Sequence, residues 1–127
     1  MAAKLGSFRS KMAGFTFTKT ADGQIETNAS YQGTAEGFGA VFGTITITQP
    51  LAEAGATSGM VSYVGKALLE DNSVLGGIGE GTWQQMGNEP RYKISLLIDI
   101  SDGTQIRSEG VVDNAEMTLN GDNYSVD

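Results

Sequence analysis

Residues 91–113 read RYKISLLIDISDGTQIRSEGVVD, and this stretch decides the fold. Apolar and polar side chains alternate on both sides of the Ser-Asp-Gly at 101–103, which is the pattern of two half-buried antiparallel strands. A three-residue loop closed by glycine places Ile98 opposite Ile106. One face of the resulting hairpin is apolar and the other is charged. The apolar face is therefore predicted to point into the protein.

The same alternation recurs along the chain and predicts eight strands. Segments such as 15–18 and 44–48 carry β-branched or aromatic residues at every second position, and short turns separate them. We expect strands at residues 14–20, 24–33, 39–49, 59–69, 74–86, 91–100, 104–113 and 115–126. Glycine supplies 18 residues, inside these segments as well as between them, which indicates a strongly curved sheet. The prediction is an all-β fold, a single domain over residues 14–127 forming an eight-stranded antiparallel up-and-down β-barrel.

Residues 1–13 depart from this pattern. Leu5, Phe8 and Met12 are spaced as they would be on one side of a helix. Two alternatives stay open here, a short helix that plugs a barrel mouth and a frayed tail. The segment lacks the long apolar run of a secretory signal, and no apolar run in the chain reaches the roughly 20 residues of a membrane helix. We therefore expect a cytoplasmic protein that does not insert into membranes.

Composition excludes several classes of function. The net charge is −7, and the eight Lys and Arg residues form no basic stripe, which argues against nucleic acid as a partner. The chain has no cysteine and no histidine. Thiolate catalysis, zinc–sulfur sites and histidine-based catalysis or metal binding are therefore impossible. We expect neither a cofactor nor a metal.

The hairpin with Asp-Asn at 71–72 supplies the candidate catalytic group. A two-residue turn there would pair Leu69 with Val74 and Tyr63 with Glu80. Glu80 would then be the single carboxylate on an apolar inner face. Desolvation would raise the pKa of this carboxyl group, which is the property of a general acid or base.

This register has consequences for the glycines of the same strand, and it has an alternative. It turns Gly77, Gly79 and Gly81 outward, and so bare an outer face indicates sharp curvature or the close approach of another subunit. Alternatively, a bulge at Gly79 or Gly81 shifts the register and places Glu80 in water.

The orientation of Trp83 depends on the register of the same strand. The alternation that turns Glu80 inward turns Trp83 outward, whereas a four-residue loop at 87–90 pairs Trp83 with Ile94 and turns it inward. Because the two loop lengths disagree, we expect one irregularity in this strand. A tryptophan in such a place is typical of a core or cavity wall.

Glycine-containing stretches occur at residues 33–39 (GTAEGFG), 79–83 (GEGTW), 98–103 (IDISDG) and 108–110 (SEG). Together they resemble the small bacterial members of the allene oxide cyclase-like barrel group, which is also similar to lipocalins. The resemblance implies an eight-stranded antiparallel barrel with an apolar cavity, assembled as a homodimer or homotrimer. Some members of the group cyclise or isomerise lipid-like or polyketide substrates. No catalytic motif of the group can be assigned to individual residues of this chain.

The expected site is a cavity inside the barrel, because the predicted lining mixes bulky side chains with many small ones. The side chains expected to contact an apolar ligand are Phe15, Phe17, Tyr31, Ile45, Ile78, Trp83, Ile94, Leu96, Ile98 and Ile106. The first hypothesis is a cofactor-free cyclase or isomerase in which Glu80, with Tyr63 or Tyr92, moves or polarises a proton. The second is a lipocalin-like protein that binds the same class of ligand without chemistry. The third is a structural protein with a solid barrel.

Overall fold

The computed structural model describes residues 2–126, and it is a closed barrel of eight antiparallel strands that neighbour one another in chain order. The strands are β1 (Lys4–Lys19), β2 (Ile25–Ala35), β3 (Gly39–Gln49), β4 (Ser58–Leu68), β5 (Val74–Gln85), β6 (Arg91–Ile100), β7 (Gln105–Asp113) and β8 (Thr118–Ser125). The predicted all-β up-and-down barrel is confirmed. A single turn of 3₁₀ helix, Leu51–Glu53, lies between β3 and β4. Within residues 2–126 no helix is long and apolar enough to span a bilayer.

The N-terminal segment is a strand, so both alternatives for residues 1–13 are wrong from residue 4 onward, and Met1 lies outside the described residues. β1 is 16 residues long because it pairs with β8 through its first half and with β2 through most of its length. Phe8 and Met12 pack against the core, whereas Leu5 is exposed. The spacing that suggested a helix therefore belongs to a strand whose register shifts after residue 12.

Three of the hairpins share one loop design. In the β1–β2, β4–β5 and β6–β7 connections the third loop residue is left-handed, namely Gly23 (φ 82°), Asn72 (φ 68°) and Gly103 (φ 92°). In the β4–β5 loop the Leu69 N–H donates to the Ser73 carbonyl, which closes a three-residue loop. Asparagine tolerates this conformation better than most residues, so Asn72 takes the role that glycine has in the other two loops.

This loop corrects the predicted register of β4 and β5. The two-residue turn that paired Tyr63 with Glu80 is wrong, because the loop contains residues 70–72. Tyr63 lies opposite Gly79, and Glu80 lies opposite Ser62 on the outer face. The exposed Glu80 agrees with the alternative prediction, but its cause is the longer loop and not a bulge.

β5 pairs with β4 and with β6 without a register shift, so the prediction of an irregularity in this strand is wrong. Trp83 lies opposite Ile94 and is 6 % exposed, as the four-residue loop at 87–90 predicts. The β6–β7 register is also confirmed, with Ile98 opposite Ile106.

β6 fills the barrel with aliphatic side chains at the places where β5 has almost none. The inward residues Leu96 and Ile98 of β6 lie opposite Gly81 and Gly79 of β5. A Cβ atom on Gly81 would be 1.7 Å from the Ser95 carbonyl oxygen, so only glycine fits where β5 and β6 approach this closely. The bare face of β5 is thus the inner one, and the prediction of a bare outer face is wrong.

Candidate ligand-binding site

The interior of the barrel contains two chambers separated by a layer of three side chains. Tyr31, Ile45 and Ile94, from β2, β3 and β6, line both chambers. The larger one, the mouth chamber, has a volume of about 420 Å³ and lies at the end where the β3–β4 and β7–β8 connections are. The smaller one, the inner chamber, measures about 100 Å³ and lies towards the opposite end. The barrel is therefore not packed solid.

Five aromatic side chains line the mouth chamber. The rings of Trp83 and Tyr92 meet edge to face with their centroids 5.8 Å apart. Phe15 and Phe17 meet in the same way at 5.4 Å, on the part of β1 that pairs only with β2. The complete lining is Met12, Phe15, Phe17, Thr27, Ala29, Tyr31, Ile45, Ile47, Gln49, Ala54, Ala56, Trp83, Tyr92, Ile94, Val112, Asn114 and Met117. A mainly apolar wall with a few polar groups is typical of small-molecule sites.

Trp83 is a buried aromatic residue of this wall. Its indole N–H lies against Gly59, where an added Cβ would be 3.0 Å from Nε1, and it has no acceptor among residues 2–126. It is also the only tryptophan of the chain. Its fluorescence therefore reports on the mouth chamber alone.

The inner chamber combines aliphatic walls with a small polar cluster. Ser10, Ser108 and Asn123 are buried polar residues on its surface. The Ser10 hydroxyl donates to the Leu119 carbonyl at 2.6 Å, and the Ser108 hydroxyl donates to Oδ1 of Asn123. Pairing of this kind is what buried hydroxyl groups require. The hydrogen bonds tie β1, β7 and β8 together where the barrel closes.

Glycines make room for Tyr63 in the inner chamber. Gly43 and Gly65 face each other on β3 and β4. A Cβ atom on Gly43 would be 2.5 Å from Cε1 of Tyr63, and one on Gly65 would be 2.3 Å from its hydroxyl oxygen. The phenol ring thus lies flat on bare backbone.

Burial determines what the two phenols can do. It raises the pKa of Tyr31 to about 12 and also raises the pKa of Tyr63, because desolvation disfavours the phenolate. Both groups therefore stay protonated near neutral pH, so they can offer a hydrogen-bond donor but not a base. No carboxylate lines either chamber, and within residues 2–126 no group of three or more acidic side chains is placed to hold a metal ion.

The structure divides the predicted site residues among three places. Phe15, Phe17, Trp83 and Tyr92 line the mouth chamber, Tyr63, Leu96, Ile98 and Ile106 line the inner chamber, and Tyr31, Ile45 and Ile94 line both. Ile78 and Glu80 lie on the outer face, because the β4–β5 register differs from the predicted one by one residue. The three residues predicted to be catalytic, Glu80, Tyr63 and Tyr92, are therefore not brought together.

Some lining residues were not predicted. Phe8 and Met12 escape prediction because their spacing also fits one side of a helix, although Phe8, Ser10 and Met12 alternate as an inward strand face does. Asn123 was missed because a polar residue gives no apolar signal. Its position opposite Ser108 becomes apparent only once β7 and β8 are paired.

No protein-family model matches this chain, and no curated protein or solved structure matches it significantly. Of the properties that the resemblance to the allene oxide cyclase-like group implies, the structure shows the closed eight-stranded antiparallel barrel.

Proposed function

We propose that this chain is a lipocalin-like binding protein whose mouth chamber holds an apolar small molecule. The observation that carries the proposal is the chamber of about 420 Å³ with its aromatic and aliphatic wall. Sites for small molecules are typically concave and mainly apolar, with volumes of roughly 300–1,000 Å³. The chamber has the size for one fused ring system or a short lipid chain.

The mouth leaves apolar surface for a ligand to cover. Phe15 is 48 % exposed and Phe17 is 65 % exposed. Removing apolar surface from water contributes about 25 cal/mol per Å², so a ligand seated against these rings would be stabilised by their burial. Thr27, Gln49 and Asn114 supply the polar groups that would orient it.

The distribution of proton-moving groups favours binding over catalysis. Cyclisation or isomerisation of a lipid-like or polyketide substrate needs an acid or base at the reacting atoms. The carboxylate proposed for this role, Glu80, is on the outer face, and the phenols of Tyr31 and Tyr63 hold their protons. A cyclase or isomerase remains the second proposal, in which these phenols would only donate hydrogen bonds to a developing charge.

The test is a titration with the neutral lipophilic probe N-phenyl-1-naphthylamine, followed by probe fluorescence and by quenching of Trp83. We expect saturable binding at one site. Replacing the inward-facing Ala29 with phenylalanine places a ring in the space that the ligand would occupy. It should raise the dissociation constant at least about tenfold, which corresponds to a loss of about 1.4 kcal/mol of binding free energy.

The matched control is Thr34→Phe, which adds the same ring to the exposed outer face of the same strand and should leave the dissociation constant unchanged. Far-UV circular dichroism establishes that both variants are folded. Absence of saturable binding to the wild type, or equal affinity of a folded Ala29→Phe variant, would contradict the proposal.

A further inference from the structure

Two phenols of the inner chamber have no hydrogen-bond partner in the protein. Tyr31 is 4 % exposed, and burial is the only cause of the raised pKa of both Tyr31 and Tyr63. Neither hydroxyl is hydrogen-bonded to another group of residues 2–126. The other two hydroxyls of this chamber, on Ser10 and Ser108, each donate to a protein oxygen. Because buried hydroxyl groups are almost always paired, the two phenols indicate an acceptor that comes from outside the chain.

The two phenols belong to the same part of the chamber wall. The Tyr63 hydroxyl oxygen lies over the inner side of Gly43 and Gly65, where a Cβ atom on either glycine would collide with it. Tyr31 lies directly opposite Gly43 on the neighbouring strand. The backbone of both glycines is paired with a strand on each side, so it has no free acceptor for either phenol. A ligand atom beside Gly43 is therefore close to both residues.

The rest of the chamber wall is mainly aliphatic and has no charge directed inward. Leu96, Ile98 and Ile106 line it from β6 and β7. Lys66, the one charged residue of the lining, is exposed and lies on the outer face, because the buried Ala67 beside it faces inward. An ionised ligand would lose its hydration here without meeting an opposite charge, which is costly. The chamber therefore fits an uncharged ligand.

The volume of the inner chamber, about 100 Å³, limits the size of its ligand. An apolar cavity of roughly 150 Å³ holds benzene, so this chamber has room for about four to six heavy atoms. Water fits less well beside Tyr63, because a buried water needs about two to four polar partners. The wall around Tyr63 supplies paired backbone and aliphatic carbon instead.

We propose that the inner chamber is a second binding site, which takes a small uncharged carbonyl compound. A carbonyl oxygen has two lone pairs and no proton, so it can accept hydrogen bonds from Tyr31 and Tyr63 together. The alkyl part of the ligand packs against the aliphatic wall. This site is distinct from the mouth chamber, because the layer that contains Ile45 and Ile94 lies between the two.

The test is a titration of the ¹⁵N-labelled full chain with cyclobutanone, followed through amide chemical shifts in ¹⁵N–¹H correlation NMR spectra. The comparison probe is methylenecyclobutane, in which a CH₂ group replaces the carbonyl oxygen and the shape is kept. We expect saturable binding of cyclobutanone, with the largest shifts at Gly43 and Gly65. Tyr31→Phe and Tyr63→Phe should each weaken cyclobutanone binding at least about fivefold, because the carbonyl loses a donor. Binding of methylenecyclobutane should stay within about twofold in both variants, since it has no acceptor.

The matched control is Tyr92→Phe, which removes a hydroxyl from the mouth chamber and should leave cyclobutanone binding unchanged. Far-UV circular dichroism establishes that all variants are folded. No saturable binding of cyclobutanone to the wild type, or an equal loss of affinity for both probes in the Tyr31 and Tyr63 variants, would overturn the proposal. A crystal soaked with cyclobutanone that shows only ordered water beside the two phenols would overturn it as well.

The two chambers can be tested independently of each other. Tyr63 lines only the inner one, so Tyr63→Phe should leave the binding of N-phenyl-1-naphthylamine unchanged. Failure of cyclobutanone to bind therefore leaves the function proposed for the mouth chamber standing, and the converse also holds.

Discussion

Two parts of the barrel wall place their apolar side chains on opposite sides. In β6 and β7, which we call the aliphatic half, residues such as Leu96, Ile98 and Ile106 point inward. In β4 and β5, which we call the glycine half, the inner face of β5 is mostly glycine, and Val64 and Ile78 point outward. The large side chains of one half occupy the space that the glycines of the other leave free.

The outer surfaces differ in the same way. On the aliphatic half Arg91 lies 3.8 Å from Asp113, Arg107 lies 3.3 Å from Glu109, and the Arg107 guanidinium stacks over the ring of Tyr124. These charged side chains make this part of the outer surface polar. The outer surface of the glycine half is apolar, so hydrophobicity alone does not identify its buried side.

The largest effect expected from breaking this arrangement comes from filling a glycine of β5. Gly81→Ala should lower the free energy of unfolding by about 3 kcal/mol or more, because the new methyl group meets a backbone oxygen that moves only with its strand. Urea denaturation measures this loss. Gly76→Ala, an outward position in the same strand with nothing within 4 Å of an added Cβ, should change stability by about 0.5 kcal/mol or less. Equal effects at both positions would show that the close approach at residue 81 is not a constraint.

A smaller difference in the free energy of unfolding is expected between alanine substitutions of an isoleucine in each half. Ile98 is 5 % exposed, so Ile98→Ala should cost about 3 kcal/mol through lost burial and the cavity left behind. Ile78 is 62 % exposed, and Ile78→Ala should cost less than about 1 kcal/mol in the monomer. Chemical denaturation at a protein concentration low enough to exclude self-association provides the comparison. A reversal of the order would mean that the inward and outward faces are wrongly assigned.

The smallest effect concerns the turns, one in each half. Asp71 accepts hydrogen bonds from Ser73, and Asp102 accepts them from Thr104, and these bonds lower the pKa of both carboxyl groups below the ordinary value. A pKa lowered by folding gives stability that is present above the unfolded pKa and is lost as the pH falls through the folded one. The melting temperature of the protein should therefore decrease when the pH is lowered below about 4.

The double variant Asp71→Asn/Asp102→Asn keeps acceptors in both turns but does not titrate there. Its melting temperature should fall less than that of the wild type between pH 5 and pH 2.5, as measured by circular dichroism. Parallel curves for the two proteins would rule out these turns as a source of the acid sensitivity.

Much of the fold could be predicted because local signals agreed with one another. The β6–β7 hairpin has strict alternation and a Gly at the left-handed loop position, so its register was predicted correctly. The β4–β5 hairpin has Asn72 at that position, and Asp-Asn fits a two-residue turn equally well. Alternation assumes that the more apolar face of a strand is the buried one. Because Ile78 is apolar, this assumption favours the two-residue turn, which would place Ile78 inside the barrel.

The site was predictable only in part. Most of the lining follows from the strand faces, but the division into two chambers depends on how Ile94 of β6 meets Tyr31 of β2 and Ile45 of β3 across the barrel. Such contacts between strands that are not neighbours have no local pattern. The strand at residues 4–13 escaped prediction for a related reason, because its second partner, β8, is at the other end of the sequence.

The pairing of β1 with β8 has a consequence for how the molecule is made. The Ser125 N–H donates to the Ala3 carbonyl, so the pairing of β1 with β8 that closes the barrel joins segments that are far apart in the sequence. Contacts of such long range are slow to form, and during synthesis on a ribosome β1 waits with one edge open until β8 emerges. An unsealed edge recruits strands from other chains. Nascent molecules are therefore most prone to aggregate in the interval before the final strand arrives.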